Sequence, residues 1–170
     1  FEDSTFKEVY SGTGVQDAVL VENGNVYIAK SAATNPQVPF LLVNLETFET
    51  VPLNVKGNVA YALSTDGTTI YGINVISDES GKYTYVFSYN TSTKQMSNIL
   101  KFADEDPEAF TYLNGNNLFT NIGKNKVHCY NLKTKSRFTY NRSASIPQSI
   151  CQNNKRAVIL NNNGSISWCG

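Results

Sequence analysis

Histidine occurs once in these 170 residues, methionine and tryptophan once each, and cysteine three times. That scarcity removes most of the side-chain sets on which catalysis and tight metal binding are built. The single His128 stands beside Cys129 in a segment that reads as a strand, where neighbouring side chains point to opposite faces and cannot form a nucleophile–base pair. His128 is therefore expected to be a hydrogen-bonded or exposed strand residue. The cysteines, at 129, 151 and 169, lack zinc-site spacing and read as buried structural thiols, with a Cys151–Cys169 disulfide as the alternative. An odd count favours a reducing compartment, cytoplasmic or nuclear, over secretion.

Other absences narrow the fold. No apolar run is long enough to cross a bilayer as a helix. The glycine turn Ser11-Gly12-Thr13-Gly14 has neither the Lys nor the following helix that a phosphate loop needs, so it reads as a connector. Helical periodicity is almost absent; the best candidate is a turn or so at residues 97–103, with Pro107 to stop it. Acidic side chains are missing altogether after Glu108.

What the chain does have is repetition. A hydrophobic strand runs into Asn, then Thr, then a charged or polar turn, at Val43-Asn44-Leu45-Glu46-Thr47, Tyr89-Asn90-Thr91-Ser92-Thr93 and Tyr130-Asn131-Leu132-Lys133-Thr134. The three Asn residues are 46 and 41 positions apart, the period of four-stranded units in an array. A second phrase recurs out of phase: Asn23-Gly24, Asp66-Gly67, Asn114-Gly115 and, degraded, Asn153-Asn154, each followed by an apolar strand. Asn-Gly and Asp-Gly supply the positive φ of tight hairpin turns, so each copy is expected to be a hairpin. Ten Tyr, nine Phe and many Val, Ile and Thr fill the segments between. The expected fold class is all-β, a β-propeller of four-stranded antiparallel blades, about four of them.

The blade units fall at about 10–54, 55–101, 102–142 and 143–170, with a strand at 1–9. Residues 1–9 line up with residues 43–51, whereas the last unit ends one strand short. Either the amino-terminal strand completes the last blade in a small closed ring, or the four blades are consecutive members of a larger ring; the second is preferred. The pattern resembles the WD-repeat superfamily, whose blades often end in an aliphatic strand, Asp or Asn, a variable residue and Thr. The Trp-Asp and Gly-His pairs of that superfamily are absent. The resemblance implies a platform in a multi-subunit assembly, such as nuclear or ribosome-assembly complexes.

Charge is distributed unevenly. Residues 1–108 hold all 14 acidic residues against six basic ones, and residues 109–170 hold eight basic residues and no acid, giving −8 and +8. The basic set is Lys124, Lys126, Lys133, Lys135, Arg137, Arg142, Lys155 and Arg156, interleaved with Tyr130, Phe138 and Tyr140. Such a surface, spanning residues 124–156, suits an acidic protein or an RNA backbone. The competing reading is ordinary solvated surface that balances the acidic units. An open blade edge would further allow strand addition by a partner.

The acidic cluster Asp104, Glu105, Asp106 and Glu108 lacks the central Gly and distal Glu of a helix-loop-helix calcium site and reads as a solvated loop. Three glycosylation-type triplets, starting at Asn90, Asn141 and Asn163, are expected by chance in a chain with 21 Asn. The expected function is a non-catalytic protein-interaction scaffold with no cofactor, no metal and no membrane partner. The alternative is a propeller that binds a small ligand or acts as a hydrolase at its central channel, for which Asp17, Asp66 and Asp104 are the nearest candidates.

Overall fold

A computed structural model of the chain describes residues 7–30, 40–53, 58–103, 105, 107–141, 147–152, 157–161 and 163–169. They form four antiparallel meanders. The first contains β1 (Val15–Leu20), β2 (Asn25–Lys30), β3 (Phe40–Asn44) and β4 (Thr50–Pro52). The second contains β5 (Asn58–Thr65), β6 (Thr69–Asp78), β7 (Gly81–Asn90) and β8 (Gln95–Ala103). The third contains β9 (Pro107–Asn114), β10 (Asn117–Ile122), β11 (Lys126–Asn131) and β12 (Arg137–Asn141). The fourth has three strands, β13 (Pro147–Gln152), β14 (Ala157–Asn161) and β15 (Ile166–Cys169). Every pairing is between chain neighbours, and no helix occurs among the described residues.

The expected helical turn at 97–103 is instead part of β8, paired with β7. A bulge between the Val86–Leu100 and Phe87–Asn98 pairs leaves Ile99 over, so that Ile99 and Leu100 both lean on one apolar cluster. One extra residue breaks the two-residue alternation of a strand and gives the sequence its false helical look.

The repeated Asn-Thr phrase is one local structure built three times. The side-chain Oδ1 of Asn44 accepts from the backbone N–H of Glu46 and Thr47 at 2.8 and 2.9 Å. Asn90 does the same for Ser92 and Thr93, at 3.0 and 2.8 Å, and Asn131 for Lys133 and Thr134, at 3.1 and 2.8 Å. The chain then closes the turn with a bond from the N–H of Phe48, Lys94 or Lys135 to the carbonyl of its Asn. Those three closing residues all have positive φ, at 58°, 58° and 62°. A short amide side chain that mimics a backbone acceptor is what the turn needs at its first position, which is why Asn recurs there.

In the other phrase the glycine, and not the Asn or Asp before it, takes the positive φ: 77° at Gly24, 99° at Gly67 and 55° at Gly115. The preceding acid or amide helps through its side chain instead. Asp66 Oδ1 accepts from the N–H groups of Thr68 and Thr69 at 3.0 and 2.7 Å. The degraded copy at Asn153-Asn154 lies outside the described residues.

The core lies between sheets. On β6, Ile70 faces the first sheet while Tyr71 and Ile73 face the third, and all three are buried. One cluster joins Tyr27, Ala29 and Phe40 of the first sheet to Leu63, Ile70, Phe87 and Tyr89 of the second. The next joins Tyr71, Ile73, Val86 and Phe102 of the second to Leu118 and Ile122 of the third. Gly72 lies opposite Phe87, whose ring, with Leu63, occupies the space of any side chain on Gly72. A sheet buried on both faces by its neighbours is the packing of propeller blades. The first strand of each sheet also packs beside the first strand of the next, β1 by β5, β5 by β9 and β9 by β13. Two backbone-to-side-chain bonds stitch these inner strands together, from Leu63 N to Asp17 Oδ2 at 2.5 Å and from Leu113 N to Ser64 Oγ at 2.9 Å. No closed ring is found among the described residues.

Candidate functional site

The basic residues that run together in sequence are parted by the third sheet. Lys124 lies in the loop after β10 and Lys126 is the first residue of β11, whereas Lys133 and Lys135 lie on the Asn131 turn at the far end of β11. Six residues of strand separate the two ends by about 17 Å. Lys126 pairs with Glu105, with 3.0 Å between Nζ and Oε2. Arg137, at the start of β12, folds its guanidinium back over the Phe102 ring, 4.5 Å from the centroid, and places Nη2 3.3 Å from His128 Nδ1. Lys133 and Lys135 are exposed, and no carboxylate engages either ammonium among the described residues. Arg142, Lys155 and Arg156 lie outside the described residues, as do Asp104 and Asp106 of the acidic cluster. No cluster of His, Cys, Asp and Glu suited to a metal ion occurs among the described residues.

The carboxylates nearest to the inner strands have structural work. Asp17 Oδ2 accepts the Leu63 N–H across the first sheet boundary, and Asp66 caps its hairpin. Partial burial alone would raise the Asp66 carboxyl; the bonds from the Thr69 and Thr68 N–H groups and the Thr68 and Tyr71 hydroxyls together outweigh it and hold the carboxyl below its ordinary value.

His128 is buried, with Nε2 2.9 Å from the Ile122 carbonyl and Nδ1 2.9 Å from Thr139 Oγ1. A carbonyl only accepts, so Nε2 carries the proton and Nδ1 accepts from the Thr139 hydroxyl. Desolvation lowers its pKa, only partly opposed by the Ile122 carbonyl, and the positive charges of Arg137 and Lys126 push the same way. Cys129, also buried, points to the other face of β11.

A cavity of about 380 Å³ opens between the first and second sheets, and no sequence motif marks it. Its polar residues are Tyr27 of β2, Tyr89 of β7 and Lys94 of the Asn90 turn; its apolar ones include Leu42, Leu53 and Met96.

Many solved structures share the arrangement, among them these three. The extracellular domain of BT4673 from B. thetaiotaomicron matches with a TM-score of 0.66 and 13% identity, over 91% of this chain and 21% of that one. The computationally designed Ika4 protein matches with a TM-score of 0.68 and 11% identity, over 97% and 98% of the two chains. BamB from Moraxella catarrhalis matches with a TM-score of 0.56 and 16% identity, over 90% of this chain and 42% of that one. The chain thus spans about a fifth of the BT4673 domain and under half of BamB. Identities this low speak to fold alone: the chain has a β-propeller-like all-β fold. They do not extend to the WD-repeat superfamily in particular. A family model described only as "Uncharacterised protein" matches residues 112–170, and no curated protein matches.

Proposed function

We propose that this chain is a non-catalytic interaction scaffold that docks an acidic protein segment on the turn bearing Lys133 and Lys135. One observation carries the reading: two exposed ammoniums stand on one rim with no carboxylate engaging them among the described residues, in a part of the chain that contains no acid. The opposite rim differs, because Glu105 already neutralises Lys126. The Asn131 turn holds its backbone through three bonds to Asn131, so both lysines project from a fixed frame. Fixed frames with variable loops are how repeat scaffolds present binding surfaces. The test is fluorescence anisotropy with a labelled glutamate-rich peptide and, in parallel, a labelled single-stranded RNA dodecamer. Lys133→Glu with Lys135→Glu is expected to weaken the peptide by roughly tenfold, with affinity falling as salt rises, since exposed charges are screened within about 8–10 Å. Lys124→Glu, on the other rim, leaves binding unchanged. Peptide binding insensitive to both reversal and salt overturns the reading, and a preference for the RNA makes nucleic acid the partner.

We further infer that the four sheets are consecutive blades of a larger array, in which β15 receives its fourth strand from outside residues 1–9. Supporting this, β15 has no partner beyond β14 among the described residues, and Ile166 on β15 and Leu160 on β14 are 67% and 43% exposed. An unpaired strand edge beside apolar side chains accepts an added strand readily. Deleting residues 1–9 is therefore expected to leave the urea midpoint within experimental error. A clear fall would mean that the amino-terminal strand closes a small ring.

A further inference from the structure

The cavity between the first and second sheets is lined by two tyrosines whose rings belong to the core. Tyr27 and Tyr89 are each 2% exposed, their ring centroids 5.7 Å apart. Among the described residues neither hydroxyl forms a hydrogen bond. The rings pack against Phe40 at 5.7 and 5.5 Å, a task that phenylalanine would perform as well, so the packing alone does not call for the hydroxyls. Neither oxygen is fully enclosed by protein, so both open onto the cavity and are free to donate to whatever enters it. Burial also raises both phenols above the ordinary tyrosine value, with the mutual influence of the pair adding at Tyr27, so they remain protonated donors. The third polar residue is a cation, Lys94, exposed at the mouth. Leu42, Leu53 and Met96 supply an apolar lining, and a volume of about 380 Å³ is in the range of small-ligand sites.

We propose that this cavity binds a small amphipathic carboxylate, its apolar body against Leu42, Leu53 and Met96 and its carboxylate taken by the Tyr27 and Tyr89 hydroxyls and the Lys94 ammonium. The donor set selects the anion. Two neutral donors and one cation balance a single negative charge, whereas a phosphate dianion would leave charge uncompensated against an apolar wall. An amine is disfavoured by Lys94. The site is separate from the Lys133–Lys135 rim, on different sheets, and does not rest on the scaffold reading.

Met96 is the chain's one methionine, so a ¹³C-methyl methionine label gives a single resonance inside the cavity. Titration with 3-phenylpropionate is expected to shift it saturably, with 3-phenylpropanamide and 3-phenylpropylamine binding at least about tenfold more weakly. Lys94→Gln, and separately Tyr27→Phe with Tyr89→Phe, should each weaken the acid by roughly tenfold, while Lys133→Glu has no effect. Lys94 is exposed, so its variant keeps the test decisive if the double tyrosine variant does not fold. A resonance that does not respond saturably to the acid overturns the proposal. So does equal binding of acid and amide, or an affinity that Lys94→Gln leaves intact.

Discussion

Replacing Phe40 by Ala is expected to remove about 3–5 kcal/mol of stability, the largest loss of any single substitution considered, read from urea unfolding. The Phe40 ring is fully buried where the first sheet meets the second, with ring centroids of Tyr27, Phe87 and Tyr89 at 5.7, 6.1 and 5.5 Å. Removing it deletes three aromatic contacts at once, and the sheet backbones on either side restrain collapse of the hole. In a stacked array each sheet contacts only its neighbours, so the loss falls on one interface. The first sheet should then unfold in a separate, earlier transition than the one monitored by Trp168 in β15. Phe138→Ala provides the contrast, because its side chain is 61% exposed; its cost should stay within about 0.5 kcal/mol. A single undivided transition with a loss under about 1 kcal/mol for Phe40→Ala would mean that this interface does not hold the sheets together.

The three Asn-Thr phrases were legible because their cause is local. Asn44, Asn90 and Asn131 cap bonds that lie within four residues, and such bonds leave a mark in any window of sequence. The residues that close those turns were not legible. Phe48, Lys94 and Lys135 hold positive φ without being glycine, because the surrounding bonds impose it. Hidden too were relations between units. The bulge at Ile99 depends on the partner strand β7, the cavity depends on two sheets that meet far from each other in sequence, and Asp17 finds Leu63 only through the stacking of β1 on β5. The basic stretch looked continuous because sequence distance ignores the direction of β11, which carries Lys126 to one end and Lys133 to the other.

Acidification from pH 7.5 to 5 is expected to destabilise the protein through His128. The neutral ring is fitted between the Ile122 carbonyl and the Thr139 hydroxyl, against Phe102 at 4.7 Å, with Arg137 and Lys126 as nearby cations and Glu105 the one carboxylate acting on it among the described residues. A second proton would have to sit on Nδ1, which now accepts from Thr139 and faces the Arg137 guanidinium. Desolvation, the leading cause, places the folded-state pKa below the ordinary histidine value of 6.5. The unfolded chain therefore binds more protons near and below pH 6.5, and stability rises with pH in that window. Its contribution is complete above the unfolded pKa and is lost as pH falls from there towards the folded one, with a slope of at most about 1.4 kcal/mol per pH unit. Asp66 acts in a different window: its folded pKa is lowered from 3.8, so its contribution is lost only on further acidification, as pH falls through that folded value. Urea unfolding at intervals between pH 7.5 and 5 separates the two. His128→Gln should flatten the profile above pH 5, whatever its cost at neutral pH, whereas Asp66→Asn should leave that part of the slope intact. A wild-type profile already flat between pH 7.5 and 5, or one equally steep in His128→Gln, would show that the buried imidazole is not the group being titrated.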